Sequence, residues 1–413
     1  MTFQSLRLSP AVLKAIDTAA LKDLEYVEPS IIQSLAIPPI LRSARTQELH
    51  TYLLAAETGS GKTLAYLAPV LQLLKDEETG AVQPIRQVGR PRCVILLPSA
   101  ELVKQVGVLV KAMSHVTKVS SAVILPEFDF RRTKNQVLMN PIDILITMPF
   151  RLANLVDEGI LKLNNTSHVI IDEADTLLDV SFADSVRPLI AKATNARTLT
   201  FCSATIPRSM DTYLRKTYPN IERLVSPRIH SIPRRISTKF VDVAKDFKGD
   251  KNTAVHQILR DLQLDTTEPG KTKRVILFVN KREDVTRVTD FINSKGIQAL
   301  PFSRDIEERE SNIKGFLAQE SKEKPLTTSG VQDRLSMQVL ITTDLASRGI
   351  DTTTVKNVII YDTPHSTIDL LHRIGRTGRA GRRGTAYILL SKKRGEQWIE
   401  DVKKLSIKGQ PLI

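Results

Sequence analysis

Tyr52-Leu-Leu-Ala-Ala-Glu-Thr-Gly-Ser-Gly-Lys-Thr63 reads as a short apolar strand, a glycine-bearing loop and the start of a helix carrying Leu64, Leu67, Val70 and Leu71. Gly59 and Gly61 lack a Cβ, so the backbone can fold around phosphates and aim its N–H groups at them. Glu57, Thr58 and Ser60 complete the loop. The helix N-terminus adds partial positive charge. Lys62 is the residue to reach the β- and γ-phosphates, and Thr63 offers a hydroxyl to Mg²⁺. The strict phosphate-loop pattern has glycine where Ala56 stands. A plain strand-to-helix turn is the alternative, but it gives no reason for a lysine and a hydroxyl together at the helix start. The segment therefore points to a bound nucleoside triphosphate and to an α/β domain.

A chain of 413 residues exceeds one core of usual size, so two domains are expected. Hydrophobic residues make up 41%, and no apolar run has the length of a membrane span; no membrane partner is expected. Cys93 and Cys202 both lie in apolar strand-like runs and read as buried small hydrophobes, not as a disulfide framework or a metal site. The net charge of +14 suggests a polyanionic partner, because neutralising a phosphate backbone releases counterions. A generally basic compartment would produce the same excess. Aromatics at 5% argue against extensive base stacking. Residues 1–10 show no signal or transit peptide, which leaves either no cleaved presequence or a sequence that starts after one.

Strand-like runs alternate with helical patterns throughout, the signature of parallel α/β layers. The first half gives strands at 52–55, 93–97, 143–147, 169–171 and 198–202; the second gives 275–279, 298–300, 339–342, 358–361 and 386–390. Between them, 225–236 holds two prolines and several arginines without periodicity and reads as a linker. The expected organisation is a first domain at 1–224, that linker, and a second domain at 237–413. Residues 76–91 and 321–333 look like loop insertions. Ligands in open parallel sheets bind at the carboxyl ends of the strands, and several of these strands end directly at polar residues.

One of them, Val169-Ile-Ile-Asp-Glu-Ala-Asp175, is a buried strand closed by carboxylates. Asp172 sits where a second Mg²⁺ contact belongs, and Glu173 can orient and deprotonate a water attacking the γ-phosphate. A strand-end acidic cluster would be common in isolation; beside an upstream phosphate loop the catalytic reading is the stronger one. Asp172-Glu-Ala-Asp175 together with Ala56-Glu-Thr-Gly-Ser-Gly-Lys-Thr63, Ser203-Ala-Thr205 and His372-Arg-Ile-Gly-Arg-Thr-Gly-Arg379 resembles the DEAD-box ATP-dependent RNA helicases. The resemblance spans essentially the whole chain, with the motifs in the family's order. It implies two tandem RecA-like domains, each a mostly parallel sheet flanked by helices, with nucleotide and RNA sites at the interdomain cleft. It also implies that Asp175, Ser203, Thr205 and His372 couple hydrolysis to domain closure.

Pro29-Ser-Ile-Ile-Gln33 resembles the family's adenine-reading motif. A glutamine amide both donates and accepts, which would select ATP. Tyr26 stands at the adjoining aromatic position and Phe3 matches an upstream one. Arg376 and Arg379, three residues apart on one face of an expected helical turn, are the arginine-finger candidates. A solvated basic helix is the alternative, made poor by Gly375 and Gly378, which weaken a helix. In Thr342-Thr-Asp-Leu-Ala-Ser-Arg-Gly-Ile-Asp351 the resemblance gives Asp351 to the ribose and places Thr343 and Arg348 near RNA and nucleotide.

The RNA-facing motifs depart further from the family. Pro98, Ser99 and Glu101 match one of them, with Ala100 for its usual arginine. Met148-Pro-Phe-Arg151 matches another, with Met148 for threonine and Phe150 for glycine. No glycine occurs between Gly107 and Gly159, Ile306 replaces a glutamine near Arg309, and Leu370 replaces an aromatic. Phosphate-backbone contacts tolerate such change better than base reading does.

The expected function is an RNA-stimulated ATPase acting as a monomer with ATP and Mg²⁺, separating short RNA duplexes or remodelling ribonucleoprotein. An ATP-gated RNA clamp with slow turnover is a second reading, and a DNA-translocating helicase of the wider superfamily a third. The segments Ile232-Pro-Arg-Arg and Phe278-Val-Asn-Lys are similar to a divergent fungal mitochondrial branch of the family. That similarity implies a mitochondrial matrix protein acting on structured large-subunit ribosomal RNA and ribosome assembly intermediates. A nucleolar or cytosolic location is the alternative.

Overall fold

The computed structural model describes residues 2–22, 27–79, 86–179, 182–265, 272–303, 309–317, 337–344, 352, 354–378, 382–391, 397–408 and 412. The chain divides into two compact units, Met1–Ile229 and His230–Ile413. The first holds strands β1 (His50–Ala55), β2 (Cys93–Leu96), β3 (Ser121–Val123), β4 (Ile144–Thr147), β5 (His168–Ile171), β6 (Thr198–Ser203) and β7 (Glu222–Val225). They form one sheet in the order β3-β4-β2-β5-β6-β1-β7. The second holds β8 (Ile236–Asp242), β9 (Lys273–Phe278), β10 (Gln298–Phe302), β11 (Met337–Thr342), β12 (Asn357–Ile360) and β13 (Gly384–Leu390), in the order β10-β11-β9-β12-β13-β8. Every pairing is parallel.

Parallel sheets are covered on both faces, so their central strands are apolar on both. Alternate residues sort cleanly into the layers above and below. In the first unit Leu54, Cys93, Ile95, Ile144, Ile146 and Ile170 share one core with the helices Ile31–Arg42, Lys62–Thr79 and Ala100–Thr117. Leu53, Val94, Leu96, Leu145, Val169 and Phe201 fill the other face. The second unit repeats the scheme, with Val275, Leu277, Val339 and Ile359 on one side and Ile276, Phe278, Leu340 and Val358 on the other. The two-sided parallel architecture expected from the sequence is present.

Three strands escaped the sequence reading. β3 and β7 are edge strands of three and four residues, and β7 carries Glu222 and Arg223. β8 is the other sheet's edge, with polar residues partly exposed. Short length and charge protect edges from stray pairing, and the same features remove the apolar run by which a strand is recognised. The segment expected as a linker gives Val225 to β7 and Ile236 to β8, with turns and bends between.

The insertion expected at 76–91 is in part ordinary helix, because Lys62–Thr79 runs through Asp76, Glu77 and Glu78. Glu77 and Glu78 face Arg92 at 3.2 and 2.9 Å, and Arg92 Nε donates to the buried Asp143 carboxylate at 2.9 Å. Asp143 in turn accepts Ser120 N–H. The apparent polar insertion thus supplies carboxylates to a half-buried ion cluster at the foot of the sheet. Residues 80–85 and the second insertion, 321–333, lie outside the described residues. Among the described residues no helix is long and apolar enough to cross a membrane.

Candidate active site

The loop after β1 is built from glycine torsions that other residues resist. Gly59 and Gly61 have φ of +75° and +87°. At Gly61 a Cβ would fall 2.3 Å from the Gln33 amide nitrogen, so glycine is needed for space as well as for torsion. Gln33 is held by a capping box: Gln33 Oε1 accepts Ser30 N–H at 2.8 Å, and Gln33 N–H reaches Ser30 Oγ. Its Nε2 donates to Gly61 O at 3.2 Å. The residue expected to read adenine therefore also braces the phosphate loop, and its amide keeps one N–H and one lone pair beyond these bonds.

Lys62 and Thr63 open the following helix, as expected. Lys62 Nζ donates to Ala56 O at 2.7 Å and Glu57 O at 3.1 Å. The Glu57 carboxylate accepts from Ser226 Oγ at 3.1 Å, which ties the loop to the chain just beyond β7. Ser60 Oγ is buried with no partner among the described residues. Thr58 is half-buried and Gly59 exposed. Phe3 packs in the first unit's core, and Tyr26 lies outside the described residues.

β5 ends beside this loop. Asp172 is 6% exposed, and burial, then the neighbouring charge of Glu173, pushes its carboxyl up to about 6. Its Oδ1 accepts Glu173 N–H and its Oδ2 accepts the Tyr66 hydroxyl, both at 2.9 Å. Lys62 lies close enough to favour the ionised form. Glu173 has φ +52°, a left-handed torsion for a residue with a Cβ, at a cost of roughly 1–2 kcal/mol. Asp175 Oδ2 accepts the Thr205 hydroxyl, and Thr205 N–H donates to Ser203 Oγ at 3.2 Å. Thr205 reaches the acidic motif directly, whereas this Ser203 bond runs to the Thr205 backbone.

The donor set suits Mg²⁺ on chemical grounds. No group of three or more His, Cys, Asp or Glu placed for a metal occurs among the described residues. A cation would rely on the Thr63 hydroxyl, the Asp172 carboxylate, phosphate oxygens and water, the sparse hard-oxygen set that Mg²⁺ accepts.

The residues expected to touch RNA follow β2 and β4. Ser99 Oγ accepts Leu102 N–H at 3.3 Å as the N-cap of Ala100–Thr117, whose first turn holds Glu101. Pro98 is buried beside it. Arg151 Nη2 donates to the carbonyls of Leu125 and Phe128 and so braces the loop after β3. Phe150, in the first turn of Pro149–Asp157, is 64% exposed.

In the second unit the expected helical turn through Arg376 is not formed. The helix Thr367–Ile374 stops before Gly375, and Gly378 has φ +68°. Gly375 is the C-cap of that helix, so Arg376 sits in a turn, where its Nε donates to His372 O at 3.3 Å. Thr343 is buried at the end of β11. Arg379, Arg348, Asp351, Ile306 and the Arg309 side chain lie outside the described residues.

Two residues that the sequence reading passed over organise these sites. Tyr66 joins the phosphate-loop helix to Asp172. Arg373 is 1% exposed and binds both oxygens of Asp344, the Asn280 side chain and Asp362 O, each bond 2.7 Å. It thereby joins the carboxyl ends of β9, β11 and β12. The available signals were a phenol one helical turn past Lys62, and polar residues standing one or two places after buried strands.

Comparison with known proteins agrees with this geometry. The DEAD/DEAH box helicase family matches residues 30–213, and the helicase conserved C-terminal domain matches residues 250–381. The ATP-dependent RNA helicase mrh4, mitochondrial, of Aspergillus fumigatus is 40% identical over all of this chain and 78% of its own length. The protein of that name from Pyricularia oryzae is 36% identical over all of this chain and 74% of its own. Among solved structures, S. cerevisiae Dbp5 bound to RNA and ADP BeF3 aligns with 98% of this chain and 93% of that chain at 25% identity and a TM-score of 0.73. Mss116p bound to ssRNA and AMP-PNP, at 22% identity, covers 99% of this chain and 78% of that chain with a TM-score of 0.71 and shares the fold.

Proposed function

Since the chain belongs to the DEAD-box ATP-dependent RNA helicases, we propose that it is a monomeric RNA-stimulated ATPase whose two units, joined through 225–236, complete one active site when ATP and RNA are both bound. The observation that carries this reading is the convergence of Lys62, Thr63 and Asp172 around the loop after β1, with Glu173 turned by its left-handed backbone. Gln33 and Tyr26 receive the adenine, and Asp351 the ribose. Lys62 exchanges its loop carbonyls for phosphate oxygens, and the loop N–H groups with Ser60 cradle the phosphates. Thr63 and Asp172 hold Mg²⁺, which when bound neutralises charge on the β- and γ-phosphates. Glu173 takes a proton from the attacking water as the bond from the γ-phosphorus to the bridging oxygen breaks, giving ADP and phosphate. Arg376 and Arg379 stabilise the charge of the transferring phosphoryl group.

RNA is bound through its backbone by Pro98, Ser99 and Glu101, by Arg151, and by Arg309, Thr343 and Arg348. Asp175, Ser203, Thr205 and His372 relay the nucleotide state. The mitochondrial names of the relatives support a mitochondrial protein. We place it in the matrix, acting on ribosomal RNA during large-subunit assembly. Replacing Glu173 with Gln is expected to lower RNA-stimulated ATP hydrolysis about 100-fold or more while leaving ATP binding intact; an unchanged rate removes Glu173 as the base.

One observation favours the clamp as a second reading. Ser99 is committed to capping a helix and Arg151 to bracing a loop, so grip on RNA rests on fewer uncommitted side chains. Clamping of single strands on a non-hydrolysable ATP analogue without unwinding of a short duplex would select it.

A further inference from the structure

Tyr66 lies three residues beyond Thr63 and four beyond Lys62 on the helix Lys62–Thr79, so all three share one helical face. Its side chain is fully buried. A buried phenol hydroxyl is unfavourable unless it finds a partner, and here the partner is Asp172 Oδ2 at 2.9 Å. The Thr63 hydroxyl also faces the phenol. β1, which leads into this helix, and β5, which ends at Asp172, are separated in the sheet by β6. The phenol therefore bridges the two strand ends that bear the proposed metal ligands. With Oδ1 taken by Glu173 N–H, both oxygens of Asp172 are pinned, and each keeps a further lone pair. Phenylalanine would fill the same space, so packing alone does not account for the hydroxyl.

Resting on the reading of Thr63 and Asp172 as Mg²⁺ ligands, we infer that Tyr66 is a positioning residue. Its hydroxyl locks the Asp172 carboxylate in the orientation that receives the cation with the nucleotide. Without it the carboxylate must be ordered at the moment of binding, and that loss falls on the Mg²⁺-dependent part of nucleotide affinity alone.

The test is equilibrium binding of a fluorescent ATP analogue to the full chain, in Mg²⁺ and in EDTA, for wild type, Y66F, D172N and the double variant. Y66F keeps the ring, and thermal unfolding verifies its fold. The expected result is an affinity in EDTA within about twofold of wild type, with the gain conferred by Mg²⁺ reduced roughly tenfold, the size of a lost hydrogen bond to a charged group. D172N should lose that gain, and adding Y66F to it should change nothing more. The inference is overturned if Y66F keeps the full gain, loses affinity equally with and without Mg²⁺, lowers binding further in the D172N background, or does not fold. A wild type that binds the analogue without any gain from Mg²⁺ instead defeats the metal-ligand reading, and this inference with it.

Discussion

Glu173 and His168 stand at the two ends of β5 and show opposite uses of a buried environment. Glu173 adopts a left-handed torsion, a local strain of the kind held at functional sites, and the surrounding packing of Asp172, Ala174 and Leu177 keeps it there. His168 is buried among Thr198, Glu77 and Arg197. Burial, and then the charges of Arg197 and Arg92, lower its pKa to about 3. Its ordinary value is about 6.5. Between these values the unfolded chain takes up a proton that the folded chain refuses, so the contribution is fully present above pH 6.5 and is lost as pH falls toward 3. From pH 6.5 to 5 the loss is on the order of 2 kcal/mol, at about 1.4 kcal/mol per pH unit. Replacing His168 with Asn should flatten the acid side of the stability profile of the first unit, measured by urea unfolding at pH 7 and pH 5. An unaltered slope would show that His168 is not the group refusing the proton.

The phosphate loop and the Arg373 hub show the same logic at the level of elements. Gly61→Ala places a methyl on the Gln33 amide in a left-handed torsion, so nucleotide affinity should fall by more than tenfold and stability by about 1–2 kcal/mol. Gly59→Ala meets no atom within 4 Å and should show only the torsional cost, about 1 kcal/mol. Nucleotide titration and thermal unfolding of the two variants separate crowding from strain. Arg373→Ala would leave Asp344 and Asn280 without their guanidinium partner, with an expected loss of about 3–5 kcal/mol. Arg373→Lys should restore little, because an ammonium cannot span both oxygens of Asp344; full rescue would mean that charge alone matters. These elements were unequally legible. The loop after β1 announced itself through glycines and a Lys-Thr pair. Gln33 was found by its position, but its bond to Gly61 depends on two helices meeting, which no local pattern encodes. Arg373 stood inside a quoted motif, yet its role arises from three strand ends far apart in sequence. The helical turn expected through Arg376 is not formed because the helix ends at its Gly375 cap and Gly378 beyond it is left-handed, backbone facts that composition alone suggests only weakly.

Each unit is a parallel sheet whose polar residues gather where strands end. This arrangement was readable from apolar runs in the centre of each sheet and lost at the edges β3, β7 and β8, where burial is one-sided. The net charge of +14 fits a protein that holds a nucleic-acid backbone. On the proposed function, the two units act as one ATPase only with both ligands present. Cys93 and Cys202 are buried, so cysteines introduced at the exposed Met139 and Leu264 can carry a donor and an acceptor dye, one on each unit. Energy transfer between them should shift to a new value when single-stranded RNA and a non-hydrolysable ATP analogue are added together, and hardly at all with either alone. Transfer that stays constant with both ligands, or that shifts fully with the analogue alone, would contradict the account.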